Sequence, residues 1–338
     1  MTRPLHRYVD DYKRYDLYVD VVSIFETLFT QSPLASTVRH FERYPCVTAP
    51  DGDDATPDFS VVFEDGTGLA GEIASLANVK QSADKTCRQL LRYDSLTELP
   101  VNTSGHTAPV EHVDVLFLTP TEDCVEVAER ILQQCMQDPE HPYKPANAPL
   151  IVQFVLSQNR TPSKYVIQKV ANSANGALRE GSREPAIGER LGRTSMPVEI
   201  GTFAANKVER AFMNDPIDPV YLATHLWMRV LPDPFVGERP EDGVIITTEQ
   251  DLAEELQQRH RRGSKRDVRK ALQHLQQARL AAYDESEDRW TVLWRPLRSR
   301  EGQHDTARQL AERIVNPPKK EVAAWTRDAP PDPQLKLL

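Results

Sequence analysis

One short segment limits the architecture more than any other. Val113–Leu118 lies in VDVLFLT, a near-continuous apolar run. A strand with one wet face alternates, whereas a run apolar at almost every position has to be covered on both sides. A central strand with helices above and below it is therefore expected, and with it a layered α/β domain. The flanking sequence agrees. Asp58–Glu64 (DFSVVFE) reads as a strand, Asp65 to Gly68 (DGTG) as a hairpin turn, and Leu69–Ala74 as the return strand. Upstream, Leu17, Val21, Ile24, Phe25 and Leu28 recur at helical spacing with a wide apolar stripe. A shorter helical stretch is expected around Leu34–Phe41, a short strand at Cys46–Ala49, and an acidic loop at Pro50–Thr56. Residues 81–96 read as a helix with Ser82 as its N-cap. Residues 121–136 read as another, with Glu122 and Asp123 in its first turn. Leu150–Ser157 and Lys164–Val170 extend the sheet, and Asn172–Arg193 is a long polar loop. The order α–β–β–β–α–β defines a mixed α/β domain over residues 1–215.

The grammar then changes. Over residues 216–297 it reads helix (Pro219–Val230), short strand (Val244–Thr247), helix, helix and hairpin. Thr248 and Ser264 cap the two consecutive helices, each with an acid three residues on, Asp251 and Asp267, as in a capping box. The second of these helices has Val268, Leu272 and Leu275 on its apolar face. Residues 298–338 hold one amphipathic helix and a Pro-rich tail, consistent with 26 prolines against 14 glycines in the chain.

Composition removes several function classes. No uncharged run approaches the ~20 residues of a membrane helix; the longest apolar piece, Leu150–Leu156, is interrupted by Gln153. The N-terminus lacks the apolar core of a secretory signal. Cys46, Cys87, Cys124 and Cys135 are scattered with no CxxC pair, which argues against a disulfide framework or a Cys-rich zinc site. A reducing, cytoplasmic location is the default expectation. Phosphate-loop, dinucleotide, GxSxG and HExxH motifs are absent. The net charge of -9 leaves nucleic acid open as a partner, because what matters is where the charge sits.

Asp58 opens one strand of the hairpin and Glu72 lies in the other, so the two can meet across the ladder. Paired carboxylates at a strand edge suit Mg²⁺, which takes one or two and keeps several waters. Pro57 and Asp58, then Gly71, Glu72, Ile73 and Ala74, in an αβββαβ order, resemble the PD-(D/E)xK nuclease superfamily. The QLLRY segment beginning at Gln89 and ending at Tyr93 is similar to an element of its RecB-like branch. The resemblance spans residues 14–118. It implies a restriction-endonuclease-like core in which Asp58 and Glu72 hold Mg²⁺ or Mn²⁺, Glu26 adds a further acidic ligand, and Gln89 and Tyr93 position the nucleic-acid backbone. It also implies a lysine two residues after the Glu, where this chain has Ala74. Two alternatives stand. The lysine has moved to the following helix, with Lys85 the first choice and Lys80 the second, or it is lost and the domain serves as a scaffold.

The second constellation is basic. Arg259, Arg261, Arg262, Lys265, Arg266, Arg269 and Lys270 fall within a dozen residues of an acidic chain, opposed only by Asp267. They occupy the turn and the start of a helix, in an order of elements that resembles a winged helix-turn-helix, whose second helix enters the DNA major groove. Such charges would supply phosphate contacts; the alternative is a module for protein contacts. His112 and His225 read as core or surface groups, and Trp227, Trp290 and Trp294 as packing residues. Tyr12, Tyr15 and Tyr18 are expected to flank the first helix's stripe. Together these readings give a DNA-binding, metal-dependent endonuclease acting on double-stranded DNA, with a catalytically inactive DNA-binding or assembly factor as the alternative. A homodimer or larger complex is compatible with the sequence, and RNA is not excluded as the ligand.

Overall fold

The computed structural model describes residues 3–31, 33–74, 80–120, 130, 132–157, 164–169, 179, 196–212, 217–233, 236–237, 243–294 and 303–317. They form two compact units. Asp20–Val208 is one, and the described residues before Asp20 group with those from Glu209 onward in the other. Helix α1 (Leu5–Gln31) contributes to both.

In the first unit the strands, in chain order, are β1 (Val38–Arg43), β2 (Val47–Thr48), β3 (Asp54–Ala55), β4 (Phe59–Phe63), β5 (Gly68–Ile73), β6 (Glu98–Pro100), β7 (Thr107–Pro109), β8 (Val113–Pro120), β9 (Leu150–Ser157), β10 (Lys164–Lys169) and β11 (Met196–Glu199). Seven of them make one mixed sheet, ordered β1-β4-β5-β8-β9-β10-β11, in which β5, β8 and β9 run parallel and every other pair is antiparallel. The apolar run behaves as expected: β8 is central and buried at every position but its last. Phe25 and Phe29 of α1 pack with Phe41, Phe59 and Phe63 on one sheet face. On the other face α2 (Lys80–Asp94) sets Cys87, Leu90 and Tyr93 into a core with Val62, Ala70, Val115 and Phe117. Alternation along β4 sends its odd and even residues to these opposite layers.

Some local expectations are corrected. The stretch around Leu34–Phe41 is a short 3₁₀ turn (Pro33–Thr37) followed by β1, not a helix. Pairing with β4 satisfies its backbone, and alternation turns Phe41 and Arg43 inward. Helix α2 is already under way at Lys80, two residues before the expected cap Ser82. The start of the helix expected over residues 121–136, and most of Asn172–Arg193, lie outside the described residues. Helix α3 (Ile200–Glu209) follows β11.

The second unit contains α4 (Pro219–His225), which continues as a π-helical turn over Leu226–Val230, then β12 (Val244–Thr247), α5 (Glu249–His260), α6 (Lys265–Gln277), β13 (Ala281–Asp284), β14 (Arg289–Leu293) and α7 (Gln303–Val315). Its sheet has the order β12-β14-β13. Both expected capping boxes form: Thr248 with Asp251 on α5, and Ser264 with Asp267 on α6. Tyr12 and Tyr15 do not flank a stripe. They are buried, with ring centroids 5.3 and 4.5 Å from Tyr221 of α4. Trp227 and Trp290 pack in the core as expected. Among the described residues no helix is long and apolar enough to cross a membrane.

Candidate metal centre and basic surface

The hairpin brings Asp58 and Glu72 together. Phe59 pairs with Gly71 in the β4–β5 register, and the Asp58 N–H donates to the Gly71 carbonyl at 2.8 Å. The regular register ends at that pair, because the Asp58 N–H bonds the Gly71 carbonyl out of step with it, but the Asp58 charge still lies close enough to Glu72 to act on it. Gly71 is required there. An added Cβ would stand 2.2 Å from the Phe59 ring.

Each carboxylate has one strong partner. The Ile73 N–H donates to Asp58 Oδ2 at 2.6 Å, and the Tyr93 hydroxyl, from the last turn of α2, donates to Glu72 Oε2 at 2.9 Å. These bonds do not offset the loss of water. Burial pushes the Asp58 carboxyl up to about 7, against the opposing Ile73 N–H. Burial first and the Asp58 charge second hold Glu72 well above the ordinary carboxylate range, with Tyr93 and Lys85 pulling it back. Two half-buried acids this close do not readily both ionise without a cation between them. Burial and the charge of Glu72 likewise hold the Tyr93 phenol far above its usual range, so it remains a donor.

The other expected residues divide. Lys85 is exposed on α2, and its ammonium acts on Glu72 through space. Gln89 lies one turn further along and is half-buried. The side chain of Lys80 is outside the described residues. Ala74 closes the strand, donating its N–H to the Leu118 carbonyl at 3.0 Å, and its methyl packs against the α2 core. Glu26 does not join the pair. It sits in α1, on the face of Phe25 and Phe59, where it accepts from Arg43 Nε at 2.7 Å. Among the described residues no group of three His, Cys, Asp or Glu side chains is placed to hold a metal ion. Sequence reasoning missed Tyr44. It follows β1 with a left-handed φ of 50°, and its N–H donates to the Asp58 carbonyl at 2.9 Å. A non-glycine residue there is uncommon, and nothing in its sequence neighbourhood signals it.

The seven basic residues are not equivalent. Lys265 and Arg266 are exposed in the first turn of α6, and Arg261 is exposed as the left-handed C-cap of α5. Arg262 and Lys270 are half-buried. Arg269 is already taken. Its Nε donates to both oxygens of Glu249 at 2.8 and 2.9 Å, and the same buried carboxylate accepts from Trp290 Nε1 at 3.1 Å. Arg259 is held by Asp233 and Glu255.

No protein-family model matches this chain, and neither the curated proteins nor the solved structures give a match. The chemistry therefore rests on the side chains themselves. Asp58 and Glu72 present hard oxygens of the type that binds Mg²⁺ or Mn²⁺. Their mutual repulsion is what such an ion would relieve.

Proposed function

We propose that the protein is a metal-dependent phosphodiesterase of the PD-(D/E)xK type that acts on DNA. The observation that carries this reading is the Asp58–Glu72 pair, brought together by one hairpin, half-buried, and disfavoured in its doubly ionised form. The strand, hairpin and helix order around the pair, with α1 before it and β8 after it, resembles the nuclease core. Asp58 and Glu72 would hold Mg²⁺ or Mn²⁺, which supplies neutralisation of phosphate charge and a more acidic water. Tyr93 orients Glu72, the Ile73 N–H orients Asp58, and Gln89 would meet the nucleic-acid backbone. Lys85, whose charge reaches Glu72, takes the place of the lysine that Ala74 lacks.

The second unit supplies the grip on DNA. Helix, strand, helix, helix and hairpin, with the sheet ordered β12-β14-β13, resemble a winged helix-turn-helix. Lys265 and Arg266 then stand where the second helix enters the major groove.

A second reading, a catalytically inactive nuclease fold that binds DNA or assembles with partners, is favoured by Ala74 and by the commitment of Glu26 to Arg43. One set of variants separates the two. Mg²⁺ or Mn²⁺ should raise the unfolding temperature of the natural protein and should not raise that of Asp58→Asn or Glu72→Gln. Cleavage of duplex DNA that disappears with Lys85→Ala supports the enzyme. Cleavage that arises only with Ala74→Lys supports the inactive fold, and no thermal shift with either metal refutes the metal site. For the basic surface, Arg266→Ala should lower the slope of log K against log salt by roughly 0.9 if that residue contacts a phosphate. An unchanged slope refutes the contact.

A further inference from the structure

The second unit sets a buried histidine against a half-buried one. His225 in α4 is 4% exposed, and its Nε2 lies 3.0 Å from Nε2 of His260, in the last turn of α5. The other ring nitrogen of His260, Nδ1, lies 3.0 Å from the Glu209 carbonyl. The Phe212 ring stands edge-on to both imidazoles, with centroids 4.9 and 5.2 Å away.

This geometry assigns the protons. A carbonyl only accepts, so Nδ1 of His260 carries hydrogen. A neutral imidazole has one donor and one acceptor, which makes Nε2 of His260 the acceptor and Nε2 of His225 the donor. The relay runs from His225 to His260 to Glu209, and it is complete only while one hydrogen lies between the two Nε2 atoms. A proton added to Nε2 of His260 would set two N–H groups against each other. One added to His225 would place a charge in a dry site.

The surrounding charges reinforce this. Burial lowers His225 well below the ordinary imidazole value, and His260, Arg229 and Arg259 act in the same direction. Burial also lowers His260, and Arg259 adds to it, while the Glu209 carbonyl and Glu255 oppose. Glu255 is shared with Arg259, which also binds Asp233.

We infer that His225 and His260 form an acid-sensitive latch, which ties the end of α5 and the Arg261–Arg262 turn after it to α4 and to the chain at Glu209, and which opens when His260 takes a second proton at Nε2. The sign follows from linkage. Folded-state values below the unfolded value mean that the open form binds protons the closed form refuses, so closure weakens as pH falls below about 6.5.

The test uses the full-length protein. Long-range ¹H–¹⁵N spectra should show His225 as the Nε2–H tautomer and His260 as the Nδ1–H tautomer at pH 7.5, with both still neutral at pH 6. The same tautomer in both rings, or half-protonation of both near pH 6.5, would overturn the latch. Amide exchange over residues 259–264, corrected for the intrinsic rate, should accelerate about fivefold from pH 6.5 to 5.5, for one proton taken up on opening. That acceleration should be absent in the double variant His225→Leu, His260→Gln. If it persists there, the inference fails; if the variant does not fold, the tautomers alone decide.

Discussion

Replacing Asp58 by Asn should stabilise the metal-free protein at alkaline pH, although it alters a residue of the proposed metal site. A carboxyl whose folded-state value lies above its unfolded one contributes stability that is fully present below the unfolded value. That stability is lost as pH rises through the folded value. For Asp58 the window runs from 3.8 to about 7. At about 1.4 kcal/mol per pH unit, the interval is worth about 4 kcal/mol of stability lost on going from acid to pH 8. An asparagine has the same shape, carries no charge to bury, and keeps an oxygen for the Ile73 N–H. In chelator, urea unfolding followed at pH 4 and pH 8 should therefore show Asp58→Asn less pH-dependent than the natural protein. At pH 8 the variant should unfold on the order of ten degrees higher, by the usual conversion for a unit of this size. Adding Mg²⁺ should reverse the ranking, because only the natural protein gains binding energy. If Asp58→Asn is equally destabilised at both pH values, the carboxylate is not the strained group that the geometry describes.

Tyr93→Phe removes the donor to Glu72 without changing the packing volume; it should cost about 1–2 kcal/mol in urea unfolding near neutral pH and weaken the Mg²⁺-dependent thermal shift. Gly71→Ala drives a Cβ into the Phe59 ring and should lose about 1–3 kcal/mol of stability by thermal melting, with no dependence on metal. Glu249→Gln keeps an acceptor for Trp290 while releasing Arg269, so binding to duplex DNA at low salt should tighten, as read by fluorescence anisotropy. Unchanged or weaker binding by that variant would mean that the α6 face does not meet phosphate.

Much of the local structure is written in the chain itself. The β8 run requires a strand covered on both faces. DGTG requires a turn between two strands, and Thr248 with Asp251 and Ser264 with Asp267 mark the helix starts of the second unit. Asp58 and Glu72 could be paired from the hairpin alone, because a short antiparallel turn fixes the register and with it the face of each side chain. Long-range packing decided what periodicity does not carry. β1 is a strand because β4 lies beside it, even though the stretch containing it also reads as helical. Glu26 looks like a ligand on a helix, but the sheet has two faces; α1 covers the one opposite the carboxylates, where Arg43 neutralises it. Arg269 and Arg259 are basic in sequence and neutralised in space by acids up to 26 residues away. Tyr12 and Tyr15 meet Tyr221 across some two hundred positions, and His225 meets His260 between two helices. A sequence determines its own hydrogen-bonding and burial pattern within a few turns. Which charges end up paired, and which are left facing each other in the dry interior, depends on partners that only the folded chain brings within a few ångströms.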